Sequence, residues 1–208
     1  MGAKCWMVVY ADGPVAPRLR GELELDEEAT EALVARLHPG ARLTGLGYGD
    51  VLDNANPPDK EAWAAVYDGV AIVCTSRVAQ DRPSDIDPTI VKAMPGRTTH
   101  VAAMHSVVDW FAFATWSPTG ELVRSLSVSP DDGVIENVGD PLPFEGPYWA
   151  GEHPVVDDDE DDEYPLPFHP LELAEDALGH LFGFCFEGIA PPGAPDIEDL
   201  TLLGFRIG

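Results

Sequence analysis

The stretch AMHSVVDWFAFATW, Ala103 to Trp116, gathers His105, Ser106 and Asp109 into a short span. On a helix, His105 and Asp109 would stand one turn apart and could form an acid–base pair. On a strand they share a face but lie roughly 13 Å apart, at about 3.3 Å per residue. Composition favours the strand: Val, Trp, Phe and Thr dominate, and the segment feeds a tight turn. Ser106 then faces away from the other two. Asp109 stays a catalytic candidate only if the backbone breaks after His105. The run from Arg97 to Trp116 exceeds a typical strand, so a bend or bulge is expected near His105–Ser106.

A second constellation comes from strand ends. WMVVYAD ends in Asp12, GVAIVCTS ends in Thr75 and Ser76, and His105 closes the first half of the third strand. If the three strands run parallel, Asp12, Ser76 and His105 converge on one rim, where α/β folds bind ligands. The histidine would then act as a general base or make a structural hydrogen bond.

Other chemistries are poorly supported. Gly45, Gly47 and Gly49 have the wrong spacing for a phosphate loop, and no Lys-Ser/Thr pair follows. There is no G-x-S-x-G elbow. Glu152, His153, the acidic run Asp157 to Glu163, His169 and Glu172 are potential metal ligands. They lack H-E-x-x-H or C-x-x-C spacing, and the run lacks a calcium loop's central glycine. No dedicated metal site and no cofactor are expected. Phe144, Tyr148 and Trp149, followed by His153, sit in LPFEGPYWAGEHP. That loop either folds back on the core or presents an aromatic recognition surface.

The elements that must position these groups are short. The 208 residues include 20 Gly and 20 Pro, and they suit one domain spanning 1–208 with a solvated acidic loop at 157–163. Helices are expected at 26–38, capped by Asp26, at 88–94, capped by Asp87, and at 170–187. EAWAAVYDG reads as a short helix and residues 40–60 as a turn-rich connection. WMVVYAD, GVAIVCTS, Val134 to Asn137 and LTLLGFRI read as strands. A β-hairpin spans about 105–129 around Pro118-Thr119-Gly120. Its expected register sets Ser117 against Glu121, Trp116 against Leu122, Ala112 against Leu126 and Trp110 against Val128. The fold class is α+β or α/β: a mixed central sheet with three main helices packed on it.

Charge restricts partners. With 37 acids against 12 bases, the net charge is -25. Nucleic acid and anionic membrane surfaces are therefore unexpected ligands. A basic protein partner, a cation or solubility alone remain compatible. Cys5, Cys74 and Cys185 are odd in number and widely spaced, as buried thiols in a reducing compartment would be. No apolar run approaches a membrane span and the amino terminus lacks signal-peptide features, so a cytoplasmic location is expected.

The segments MGAKCWMVVYADG, AMHSVVDWFAFATW, ELVRSLSVSPDDGVIENVG, LPFEGPYWAGEHPV and YPLPFHPLELAEDALGHLFGF resemble a whole-chain bacterial family, a domain of unknown function found chiefly in high-GC Gram-positive bacteria. The resemblance implies a single-domain cytosolic protein, assigns no catalytic residues and marks the acidic run as a variable insertion. Two functional readings follow. The first is a non-catalytic protein-binding or regulatory module. The second is a small-molecule-binding protein or enzyme with a rim pocket built from Asp12, Ser76 and His105.

Overall fold

The computed structural model describes residues 3–155 and 164–208; the acidic run 157–163 lies outside the described residues. The fold is built on one sheet of nine strands: β1 (Lys4–Ala11), β2 (Leu43–Asp50), β3 (Glu61–Tyr67), β4 (Val70–Thr75), β5 (Thr98–His105), β6 (Trp110–Trp116), β7 (Leu122–Ser129), β8 (Gly133–Val138) and β9 (Thr201–Ile207). Their order is β2-β9-β3-β4-β1-β5-β6-β7-β8, and every neighbouring pair is antiparallel.

This corrects the expected mixed sheet carrying three main helices. Two of the three are substantial, Glu27–Leu37 and Pro170–Leu181, and they stop short of the expected ends. The middle one is a single turn, Pro88–Val91. The expected helix in EAWAAVYDG is β3, which turns through Asp68-Gly69 into β4; Gly69 has φ +73°. An Asp-Gly pair between apolar runs is a strong hairpin signal, and it outweighs the Ala-rich helix propensity. Residues 40–60, expected as a connection, contain the edge strand β2, bulged between Gly45 and Gly47.

The long aromatic section reverses instead of bending. β5 and β6 form a hairpin whose turn, Ser106–Asp109, ends with Asp109 at φ +47°. The next hairpin, β6–β7, has the expected Pro118-Thr119-Gly120 tip: Ser117 N donates to Glu121 O at 2.8 Å, and Trp116 faces Leu122. A bulge beside Thr115 and Trp116 then shifts the register by one. Phe111 therefore faces Val128, Phe113 faces Leu126 and Ala112 faces Ser127. One extra residue on one strand is sufficient to displace every pair beyond it.

Both sheet faces are covered, which explains why the central strands do not alternate. β4 and β6 are buried at every position. Cys5, Met7, Val9, Ile72, Phe111 and Phe113 pack under Leu173, Ala174, Ala177 and Leu178 of the carboxy-terminal helix. Val8, Tyr10, Ala64, Val73 and Val101 pack under Leu33, Val34 and Leu37 of the amino-terminal helix. Asp26 caps that helix by accepting from Ala29 N at 2.9 Å, and buried Thr30 accepts from Val66 N at 2.9 Å, tying helix to sheet. Gly49 and Gly204 leave room for Trp63: a Cβ on either would stand 2.6 or 2.7 Å from its ring.

Candidate functional site

Antiparallel pairing separates the strand-end candidates. His105 lies opposite Lys4, whereas Ala11, beside Asp12, lies opposite Thr98. Asp12 is thus at the far end of the sheet from His105, roughly 25 Å away at about 3.3 Å per residue. It is exposed there and pairs with Arg97 Nε at 3.0 Å. Ser76 shares the His105 end, but its hydroxyl donates to Asp59 Oδ1 at 2.8 Å. The rim reading required all three strands to run in one direction, and β1 runs against both β4 and β5. Asp109 is positioned by the turn, with Oδ2 3.7 Å from His169 Nε2. His105 lines a cleft with Trp6 and Trp110 on the amino-terminal-helix face of the sheet.

The loop aromatics fold inward. Phe144 and Tyr148 are buried, and Trp149 and Phe168 meet edge to face with centroids 5.0 Å apart. The loop owes its shape to a fully buried ion pair. Arg124 Nε and Nη2 donate to Glu145 Oε1 and Oε2 at 2.8 and 2.6 Å. Glu145 also accepts from Leu142 N and Trp149 Nε1, and Arg124 Nη1 reaches Asn137 Oδ1 and the carbonyls of Val138 and Gly139. Each charge thus has several partners, the condition for tolerating burial. Tyr148 carries this order outward to the solvent face. Its hydroxyl donates to Asp176 Oδ2 at 2.7 Å, and its ring stacks on His153 with centroids 4.1 Å apart. His153 Nδ1 in turn lies 3.0 Å from Glu172 Oε1.

These groups border a deep cleft on the carboxy-terminal-helix face of the sheet. It encloses 620 Å³ between the carboxy-terminal helix and the segment Cys185–Pro191, with Met104 of β5 among its lining residues. Glu172, Glu175, Asp176 and His180 come from successive turns of one helix face, and Glu187 comes from the opposite bank. No Lys or Arg lines it. Leu171, Met104, Pro191 and the fully exposed Ile189 supply its apolar surface. Glu175 is half-buried; desolvation pushes its carboxyl up to about 7, although it accepts from Phe186 N at 2.8 Å. Burial also raises the Cys185 thiol, which disfavours the thiolate a nucleophile needs.

Along the sequence Tyr148 and His153 stand out in the aromatic loop and Glu172 as a potential metal ligand, whereas Glu175, Asp176, His180 and Glu187 carry no mark of a shared site. The available signal was the i, i+3, i+4 spacing on the helix. Any solvated helix face carries that pattern, and the facing bank at 185–191 has no local signature. Among the described residues no group of three or more His, Cys, Asp or Glu side chains is placed to hold a metal ion. No helix of the described residues is long and apolar enough to cross a membrane.

A nine-stranded antiparallel sheet sandwiched between two helices, with an acidic cleft on one face, defines a protein of mixed α and β structure dominated by its sheet. The chain belongs to a family of unknown function (DUF6928), whose model matches residues 5–205. No curated protein and no solved structure matches the chain.

Proposed function

We propose that the protein is a non-catalytic binding module, and that the acidic cleft receives a basic, partly apolar segment of a protein partner. The observation that carries this reading is the cleft's composition: four carboxylates, no lining Lys or Arg, and an apolar floor and lip ending in Ile189. Lys and Arg side chains suit such a groove because their stems lie on apolar surface while their heads reach carboxylates. The net charge of -25 adds long-range attraction for a basic partner and disfavours nucleic acid. Cytoplasmic residence belongs to the same reading, supported by three free cysteines, two of them buried.

The test uses a labelled amphipathic Lys/Leu peptide and its Glu/Leu counterpart, with binding followed by fluorescence anisotropy. The basic peptide is expected to bind, to weaken at high salt, and to lose about tenfold in affinity to a Glu172→Gln/Glu187→Gln variant. Equal binding of the acidic peptide, or an unchanged affinity in the variant, would refute the reading.

A further inference from the structure

The opposite face of the sheet holds a second cleft with different chemistry. Trp6 of β1 lies opposite Ala103 of β5, which lies opposite Ala112 of β6. Both alanines are fully buried beneath Trp6 and Trp110, whose ring centroids are 6.1 Å apart with planes inclined at 49°, and a basin opens beside the two indoles. His105 adds a third ring, 6.0 Å from Trp6, and its Nδ1 is buried with no hydrogen-bond partner among the described residues. Trp110 is held in place: its Nε1 donates to Ser127 Oγ at 3.1 Å. Asp81 approaches from the connection after β4, and Asp131 and Asp132 approach from the β7–β8 turn. Asp132 N donates to Ser129 Oγ at 3.0 Å, which fixes that turn. The cleft encloses 380 Å³, and no Lys or Arg lines it.

Two neighbouring indoles under a rim of carboxylates discriminate among ligand classes. An anion is repelled. A small divalent cation needs converging oxygen ligands, and the described residues offer no such group. A neutral apolar molecule gains nothing from three aspartates. An alkylated ammonium is weakly hydrated and attracted to the electron-rich faces of tryptophan, and it matches both features. We propose that this basin is a binding site for a small organic cation whose charge sits on an alkylated ammonium group. Trp6 and Trp110 contact the alkyl groups, with the His105 ring beside Trp6, and Asp81, Asp131 and Asp132 supply the opposing charge. The site lies across the sheet from the acidic cleft and does not depend on the partner reading.

The probes are choline and its neutral isostere 3,3-dimethylbutan-1-ol, titrated into the full chain while the indole N–H resonances are followed by NMR. Choline is expected to shift the Trp6 and Trp110 signals saturably, and the neutral isostere to bind about tenfold more weakly. Asp131→Asn/Asp132→Asn, at exposed positions, and Trp6→Leu are each expected to weaken choline by a similar factor. The unperturbed resonances of the remaining tryptophans report an intact fold. Absence of a saturable choline shift, equal affinity for the isostere, or wild-type affinity in the aspartate variant would each overturn the proposal.

Discussion

Removing one member of the buried ion pair should be among the most damaging single changes in this chain. Arg124 and Glu145 side chains are both 0% exposed and joined by two charged hydrogen bonds. Arg124→Met keeps most of the side-chain length but leaves the Glu145 carboxylate buried beside Leu142 N and Trp149 Nε1 alone. An uncompensated buried charge of this kind costs about 3–5 kcal/mol. Typical total stabilities are roughly 5–15 kcal/mol, so the variant should lose a large share of its margin. For a chain of this length that corresponds to a fall in Tm of roughly 6–20 °C. Glu145→Leu should cost a comparable amount, because it leaves a buried guanidinium with neutral partners only. The double variant should recover part of the loss, with a coupling energy of about 2 kcal/mol or more between contacting groups. Urea denaturation of the four proteins measures this cycle directly. A loss below about 1 kcal/mol in either single variant, or strict additivity in the double, would refute the argument that each charge depends on the other.

Two ionisable groups beneath or beside the carboxy-terminal helix should act oppositely on acid stability. Burial lowers His100 to about 4, so between pH 6.5 and 4 the unfolded chain takes up a proton that the folded chain does not. Its contribution of up to about 3 kcal/mol is therefore lost as pH falls through that window, and His100→Gln should flatten the acid limb of denaturant midpoints. Glu175, raised to about 7, is protonated in the folded state before the unfolded one. Glu175→Gln should therefore stabilise by about 1 kcal/mol above pH 7, after allowance for solvent screening, and this gain should vanish near pH 4.5. On β9, between the edge strand β2 and β3, Gly204→Ala forces a methyl against the Trp63 ring and should cost about 1–3 kcal/mol. Trp63→Leu in the same chain should relieve part of that cost, as read by thermal melting.

Local chemistry was legible wherever neighbouring residues decide the outcome. Asp26 and Asp87 cap their helices, Pro118-Thr119-Gly120 turns its hairpin, and the runs at β1, β4 and β9 are strands, because caps, turn residues and apolar runs act within a few positions. Tertiary pairing decided the rest. EAWAAVY became a strand because β4 and β9 offer ladders on both sides of it. A bulge at the β6–β7 hairpin displaced the register, and a tight turn at Ser106–Asp109 sent β6 back along β5. Strand direction had the largest consequence for function. Strands all in one direction would have brought Asp12, Ser76 and His105 to one rim; the reversal of β1 put Asp12 at the opposite end and left His105 beside Trp6 and opposite Trp110. The acidic cleft was equally invisible along the chain, since it forms between a helix face and a segment that meets it only in space. By itself the sequence determined which residues are charged, apolar or conformationally permissive. Which of them meet depended on the order and direction of strands in a sheet covered on both faces.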